Sequence, residues 1–564
     1  MAQGGVFLGA RTLSFLPMPS SLRKQILSRF FSQIEPREHA DVYVVRNLPQ
    51  EIRATLNGLY SRSHLSMRET FWTRLQKGLK KAGKSLEDLH LPETTDEEVL
   101  GKFLTEKAGS FLRTYAIDHG HNSLREGAVL QLAVEQVSQR VTRFIQQERR
   151  ASFEESSTRY IPFTNEGHWR CPKVFEAGEK WKKLWDETIA LGFGFYQESI
   201  EILQEYIQKT RPMGRGEEAK AYLRAVKAEA FDSARYLLTP ALFTKWGLVA
   251  DARTISDICT RLLSHPLAEF RIVGARIREE ARKELPTLLS HAGENTYLEE
   301  TRKKIQDLAE RCGQPNHPAP KPKPQEAEAS VHLLAAPTDL EDRILASLAF
   351  TQTSKPYESL LSWSASLSPA EKAQGFESIL GPRGKRDAMP EAIEGAGMLD
   401  FEILLDFGAF RDIARHRKGF LQQEELTTIH GYSMPPLFKE AGLAKRYSET
   451  MDGITARIHT LAESFAEESR YLIPFAFLQK VRVQFDVRQM AYFCELRSAP
   501  EGHFSYRDIA IRMGQTLQEL APNFAKYVRI TKDSVFLGRV EAEQQRDQRR
   551  ATREQQAKER GFEL

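Results

Sequence analysis

The sequence predicts an α+β chain made of two tandem copies of one domain, each a small sheet with packed helices. Three observations carry that prediction. A stretch rich in proline, "GQPNHPAPKPKPQEAEAS" at 313–330, interrupts the 564 residues with a composition that cannot build a core. Short peptides recur on either side of it, in the same order. In the second half an alternating apolar strand also leads straight into a cluster of arginine and histidine, and a related passage stands in the first.

Taken in order, residues 1–39 form an N-terminal extension expected to lack order. Its first 34 positions hold no acid but do hold Arg11, Arg23, Lys24 and Arg29, a composition shared by transit segments and ordinary loose termini. The first repeat, 40–292, opens on "VYVVRNLPQEIRATLNGLYSRS". The second, 331–535, opens on "VHLLAAPTDLEDRILASLAFTQTS". Each reads as a short apolar strand, a turn, and Glu-x-Arg starting a helix (Glu51 and Arg53; Glu341 and Arg343). "EGA" then recurs at 126 and 394, "WDET" at 185 is echoed by "YSET" at 447, and "RYL" recurs at 235 and 470. The separation shrinks in order from 290 to 268, 262 and 235 positions, as a duplicated domain with insertions in its first copy requires. One flaw remains, because the strand before the arginine cluster is out of phase by one residue between the copies. Residues 293–330 are the linker, and 536–564 a charged tail read as a solvated helix.

Composition excludes several classes of function. Lys plus Arg number 80 against 76 for Asp plus Glu, so bulk nucleic-acid binding is not indicated. Four cysteines without a CxxC pair point to a reducing, cytoplasmic setting and away from zinc or a disulfide framework. There is no HExxH, no Asp-rich cluster, no GxSxG, and no run near the ~18 apolar residues of a membrane span. "GRGEEA" at 214 matches a dinucleotide fingerprint in letters only, since no strand precedes it. What remains is anion chemistry. In "LDFEILLDFGAFRDIARHRKGF", Leu399, Phe401, Ile403 and Leu405 alternate up to Arg415-His416-Arg417, and guanidinium groups beside a half-buried strand suit phosphates. Anion sites with no nucleophile and no metal fit a cofactor that carries the chemistry.

The peptides then become specific. Arg-His-Arg-x-x-Ser-x-Asn-Glu-x-Ser-x-Arg-Tyr is the signature of flavin-dependent thymidylate synthases, and the chain resembles two diverged copies of that family. The second copy keeps Arg415-His416-Arg417 but has Phe420 at the first Ser and Glu425-Leu426-Thr427-Thr428 at the ending. The first copy has Gln147-Glu148-Arg149, then "SFEESSTRY", which keeps Ser152, Glu155, Ser157, Arg159 and Tyr160. "GHNSLREGA", "SRYLIPFAF", "FDVRQMAYFCELRS", "ARYLLTP" and "VADARTISD" resemble further segments, with Asp-x-Arg where the family has Asn-x-Arg.

The resemblance implies FAD as cofactor, with dUMP, methylene-tetrahydrofolate and NADPH as substrates and no enzyme cysteine attacking the uracil ring. It assigns FAD to Arg415, His416, Arg417, Asp486 and Arg488, with Arg149 and Arg253 as first-copy counterparts. It assigns the nucleotide to Ser152, Glu155, Ser157, Arg159, Tyr160, Arg470 and Arg497. Two fused copies pairing as a homodimer would imitate the family's tetramer. Because neither copy holds the whole motif, two other readings stay open: a non-catalytic scaffold that keeps the fold, and a flavin-dependent methyltransferase acting on another uracil substrate.

Overall fold

Strand-to-helix junctions organise this chain. A computed structural model describes residues 20–36, 40–61, 63–81, 112–118, 121–159, 162–163, 167–313 and 325–559; Tyr160 and residues 314–324 of the expected linker lie outside them, while Thr296–Arg311 of that linker is a helix. Two small sheets are flanked by helices. The first has strand order β1 (Val129–Ser138), β3 (Phe243–Asp251), β2 (Ser152–Glu155). The second is antiparallel, in the order β4 (Ser330–Ala335), β5 (Met398–Asp406), β7 (Leu478–Asp486), β6 (Phe420–Gln423). Apart from the added edge strand β4, the two sheets share one order. Leu399, Phe401, Ile403 and Leu405 are buried, as their alternation requires.

The chain divides into two compact units: Met1–Leu132 with Leu248–Ser264 and Ile272–Asn295, and Ala133–Gly247 with His265–Arg271 and Thr296–Leu564. This partition does not follow the proline-rich stretch. In the first unit, Phe30, Phe31, Ile52, Leu56, Phe71 and Leu75 form a core cluster under the helix Gln50–Tyr60.

Four strands run into helices, and the same kind of cap sits at each junction. Ser138 accepts from the Val141 amide at 3.2 Å and Asp406 from that of Ala409 at 2.6 Å. Asp251 accepts from Thr254 and Asp486 from Gln489, each at 2.8 Å. An N-cap side chain satisfies a donor that the helix cannot, which is why short polar residues stand there. The one-residue phase slip seen in the sequence has a physical cause in β1. Gln136 sits at φ +55°, an extra residue of the kind that makes a bulge. Beyond it Val137 is buried in step with Leu405, whereas before it Leu130 and Val134 are buried one position out of step.

Further paired devices join the halves' matching peptides. Glu51 accepts the amides of Thr287 and Leu288 at 2.7 and 2.9 Å, and Glu341 accepts those of Asn523 and Phe524 at 2.6 and 3.4 Å. Each carboxylate thus closes a turn led by proline (Pro286, Pro522). Within the second unit the two "RYL" turns bond reciprocally: the Ala241 amide donates to Tyr471 O at 2.9 Å, and the Ala476 amide to Tyr236 O at 3.2 Å. The helices Glu179–Thr210 and Ala444–Ala462 meet where Gly192 faces Ile454 and Gly453 faces Leu191.

The segment expected as a charged tail begins inside the fold. Helix Val535–Glu559 buries Phe536, Arg539 and Val540, and its Glu543 binds Arg224 at 2.6 Å. Among the described residues no helix is long and apolar enough to cross a membrane.

Two glycines two positions apart on helix Glu179–Thr210 should respond oppositely to alanine. A Cβ on Gly192 would meet Leu237 O at 2.7 Å, whereas one on Gly194 meets nothing within 4 Å. Gly192→Ala is expected to destabilise by ~1–3 kcal/mol through overpacking, and Gly194→Ala to stabilise by ~0.5–1 kcal/mol. Thermal unfolding of the two variants checks both signs.

Candidate functional site

The second unit concentrates charge where β2 and its following loop meet the short helices Gln139–Ile145 and Phe407–Ile413. Glu155, on the inner face of β2, accepts from Arg143 and, at 3.0 Å, from Arg411. These two arginines occupy matching positions, 268 apart, on the two short helices. Thr158 Oγ1 accepts from Arg411 at 2.9 Å and from Arg235 at 3.3 Å. Arg235 also donates to Gly408 O at 3.1 Å and stands 3.5 Å from Asp412. Arg159, four residues past β2, takes both oxygens of Asp232 at 2.8 and 3.0 Å. It also donates to Tyr506 and to Glu501 O, each at 3.0 Å. Arg539, from the C-terminal helix, shares Asp232 and donates to Gly502 O at 2.9 Å.

Four buried arginines (143, 235, 411 and 539) and the half-buried Arg159 thus have three carboxylates, Glu155, Asp232 and Asp412, as ion-pair partners. Cations outnumber anions in a place where water cannot screen them. Burial alone would raise the Glu155 carboxyl, but Arg143 and Arg411 hold it at about 2. Burial pushes Arg411 down to about 10 even with Glu155 beside it. Donors are left over: Nε and Nη1 of Arg143, and Nε of Arg235 and Arg411, are buried without a hydrogen-bond partner. Such a surplus of unmet N–H groups favours an anionic oxygen.

A second locus joins the two arginine loops. Arg149 donates to His416 O at 2.8 Å, while Arg417 donates to Ala151 O and, at 3.1 Å, to Ser152 Oγ. Each loop's arginine therefore closes the other loop. His416 is buried, its Nε2 2.7 Å from Arg497 Nε and its Nδ1 3.1 Å from the Gln489 amide. Because Arg can only donate, Nε2 must be the acceptor, which puts the imidazole proton on Nδ1 and turns the Gln489 carbonyl oxygen toward it. Burial and then Arg497 push His416 down to about 3, so it is neutral at physiological pH. Arg415 is exposed and makes no hydrogen bond or ion pair among the described residues.

The other expected site residues are placed as follows. Ser157 Oγ accepts the Arg159 amide at 3.3 Å. Asp486 is a helix cap, and Arg488 binds Glu394 at 2.6 Å and Met389 O at 2.8 Å. Its counterpart Arg253 lies in the first unit, bound to Glu126 at 2.7 Å. Arg470 donates to Leu426 O and to Glu467 at 3.3 Å; nearby Arg140 meets Glu425 at 3.1 Å. Here two arginines face two glutamates, without the surplus found around Arg143. Sequence reasoning missed Arg143, Arg411, Thr158, Asp232, Asp412, Tyr506 and Arg539. The matched positions of Arg143 and Arg411 were a usable signal; Asp232 and Arg539 offered none. No group of three or more His, Cys, Asp or Glu among the described residues could hold a metal.

Comparison with known proteins adds a family. A family model described as thymidylate synthase complementing protein matches residues 74–287 and 391–523. A UPF0159 protein of Chlamydia pneumoniae is 26% identical over 541 residues, spanning 93% of this chain and 97% of the relative. One of Chlamydia muridarum is 27% identical over 543 residues, 93% and 98%. One of Thermoplasma acidophilum is 24% identical over 470 residues, 78% and 92%. Among solved structures, the UMP/dUMP methylase PolB from Streptomyces cacaoi bound with 5-Br dUMP covers 36% of this chain and 95% of its own. Its identity is 12% and its TM-score 0.30, too low to weigh.

Acid should unfold the second unit in two stages. The folded value of His416, about 3, lies below its ordinary 6.5, so the unfolded chain takes the proton first. Stability is full above pH 6.5 and falls from there toward 3. Glu155, at about 2 against an ordinary 4.5, adds a steeper loss below pH 4.5. Denaturant midpoints between pH 7 and 3 are expected to fall throughout, and His416→Gln to flatten the segment above pH 4.5.

Proposed function

We propose that this chain, which belongs to the thymidylate synthase complementing protein family, methylates the uracil ring of dUMP, using FAD, methylene-tetrahydrofolate and NADPH. The observation that supports the reading is the surplus of buried guanidinium groups around Thr158. A phosphate monoester brings negative charge and oxygens that accept N–H bonds, which is what Arg143, Arg235 and Arg411 lack. These residues would bind and orient the nucleotide and keep water from its phosphate, while Arg497, on helix Val487–Arg497, adds positive potential.

FAD is compatible with the second half's cations. Arg415 has its donors free, and Lys418 and Arg488 stand at the start of helix Val487–Arg497, where positive potential is greatest. Bound there, FAD would relay reducing equivalents from NADPH to the transferred carbon. The cysteines agree with a route that needs no thiolate. Burial pushes Cys259 up to about 12 and raises Cys171 and Cys494 as well, so these three thiols stay protonated.

We read the two halves as a duplicated domain. The capped junctions, the Glu51 and Glu341 turn closures and the Glu126–Arg253 and Glu394–Arg488 pairs support it. Only one nucleotide site per chain follows, because the place matching Thr158 is Leu426, where Arg140 and Arg470 are matched by Glu425 and Glu467. A homodimer is the expected assembly. One observation favours a second reading, a non-catalytic scaffold. Arg159 already spends its donors on Asp232, Tyr506 and Glu501.

Expression in a thymidine-requiring strain that lacks its own synthase should restore growth without thymidine; failure there, with the protein folded and abundant, favours the scaffold. Equilibrium dialysis should find one dUMP per chain. Arg143→Lys is expected to weaken dUMP ~10–100-fold, about 1.4–2.7 kcal/mol, with flavin content unchanged. Arg415→Ala should do the reverse. A loss of both ligands in both variants would contradict the separation of the two sites.

A further inference from the structure

Three of the four sheet edges are closed against further pairing, and one is not. β1 carries Glu135 and the bulge at Gln136. β2 is four residues long and includes Glu154 and Glu155, and β6 is four residues long with Glu424 directly after it. Short length, charge and bulges each discourage another strand from adding to an edge. β4, at the end of the second sheet, is six residues long, and Ser330–Ala335 hold no Asp, Glu, Lys or Arg.

On its inner side β4 pairs with β5, from Ser330 opposite Leu404 to Ala335 opposite Asp400. Among the described residues no strand lies beyond it, and Val331–Ala335 make no backbone hydrogen bond other than that ladder. Alternate residues of an antiparallel strand turn N–H and C=O away from the neighbour, so the outer side of β4 offers groups to water or to another strand. The strand is held in place for this. Helix Phe504–Leu520 packs against it, and Arg512 donates to Ala329 O at 3.0 Å. His332, Leu333, Leu334 and Ala335 are exposed in succession. Leu334, where the register shifts between Leu333 and Ala335, is 54% exposed.

We propose that β4 pairs antiparallel with β4 of a second copy of this chain across a twofold axis, joining the two four-stranded sheets edge to edge. A twofold contact sets one patch against itself, so its strand must not repel itself. Like charges directly opposite each other destabilise a strand pair, and β4 has none to oppose. Selecting a charged peptide from another protein would call for the side chains that this edge lacks. β4 also lies outside the segments that the family model matches, 74–287 and 391–523. The proposal names a surface for the expected homodimer. Assembly is measured without nucleotide or flavin, so failure here leaves the methylation reading untouched.

Sedimentation velocity of the full chain at micromolar concentration should show a dimer. The double variant His332→Lys/Leu334→Lys should raise the dissociation constant at least tenfold with the fold retained, both positions being exposed. His332→Glu/Leu334→Glu should do the same, and a mixture of the two variants should recover the dimer. In the unmodified chain, hydrogen exchange of the Val331–Leu334 amides should quicken on dilution as the dimer dissociates. Four results overturn the proposal: a monomeric chain, a dimer that the lysine variant leaves intact, a mixture that does not pair, or β4 exchange that ignores dilution.

Discussion

The reciprocal bonds between the turns at Tyr236 and Tyr471 are the constraint on which the second unit depends. Each turn gives its carbonyl to an amide just past the other, so neither backbone is satisfied alone. Around that exchange the two long helices must cross closely, and glycine is what allows it at 192 and 453. The short helices Gln139–Ile145 and Phe407–Ile413 then bring Arg143 and Arg411 onto one carboxylate. Local sequence makes the elements; the paired turns decide which elements become neighbours.

Charge is distributed unequally over this near-symmetric frame. Where one half writes Thr158 the other writes Leu426, and where one writes Arg159 the other writes Thr427. On one side guanidinium groups outnumber their partners, and on the other they are matched. A buried ion that lacks a partner costs several kcal/mol, so a surplus survives folding only if the rest of the domain supports it. Full burial of a leucine or phenylalanine contributes roughly 1.5–3 kcal/mol, and the second unit buries many.

Much of this frame was legible in the sequence. Strand alternation at Leu399–Leu405, the ordered peptides and the shrinking offsets all reflect local or periodic constraints, which a one-dimensional reading detects. The phase slip before Arg149 was visible too, but its cause was not, since a bulge at Gln136 is a backbone choice that glutamine does not announce. Site residues divide the same way. Glu155 and Arg159 stand in a recognisable peptide, whereas Asp232 matters only because the fold carries it to Arg159, 73 positions away. Helix caps stand between these two cases. Asp251 and Asp486 stand in a motif, yet their carboxylates serve the backbone amides three residues on.

Arg539 bears on the order in which the chain can be made. Its guanidinium reaches Asp232 from 307 positions downstream, so this contact waits for the later helix Val535–Glu559 to leave the ribosome. Until then Asp232 lacks one of its two guanidinium partners, and the helix Ala219–Ala234 keeps an uncovered face that Phe536 and Val540 will later close. Domains generally fold as they emerge, N-terminal part first. Here the helix Ala219–Ala234, in the middle of the chain, must wait with one face uncovered until the helix that begins at Val535 has been made.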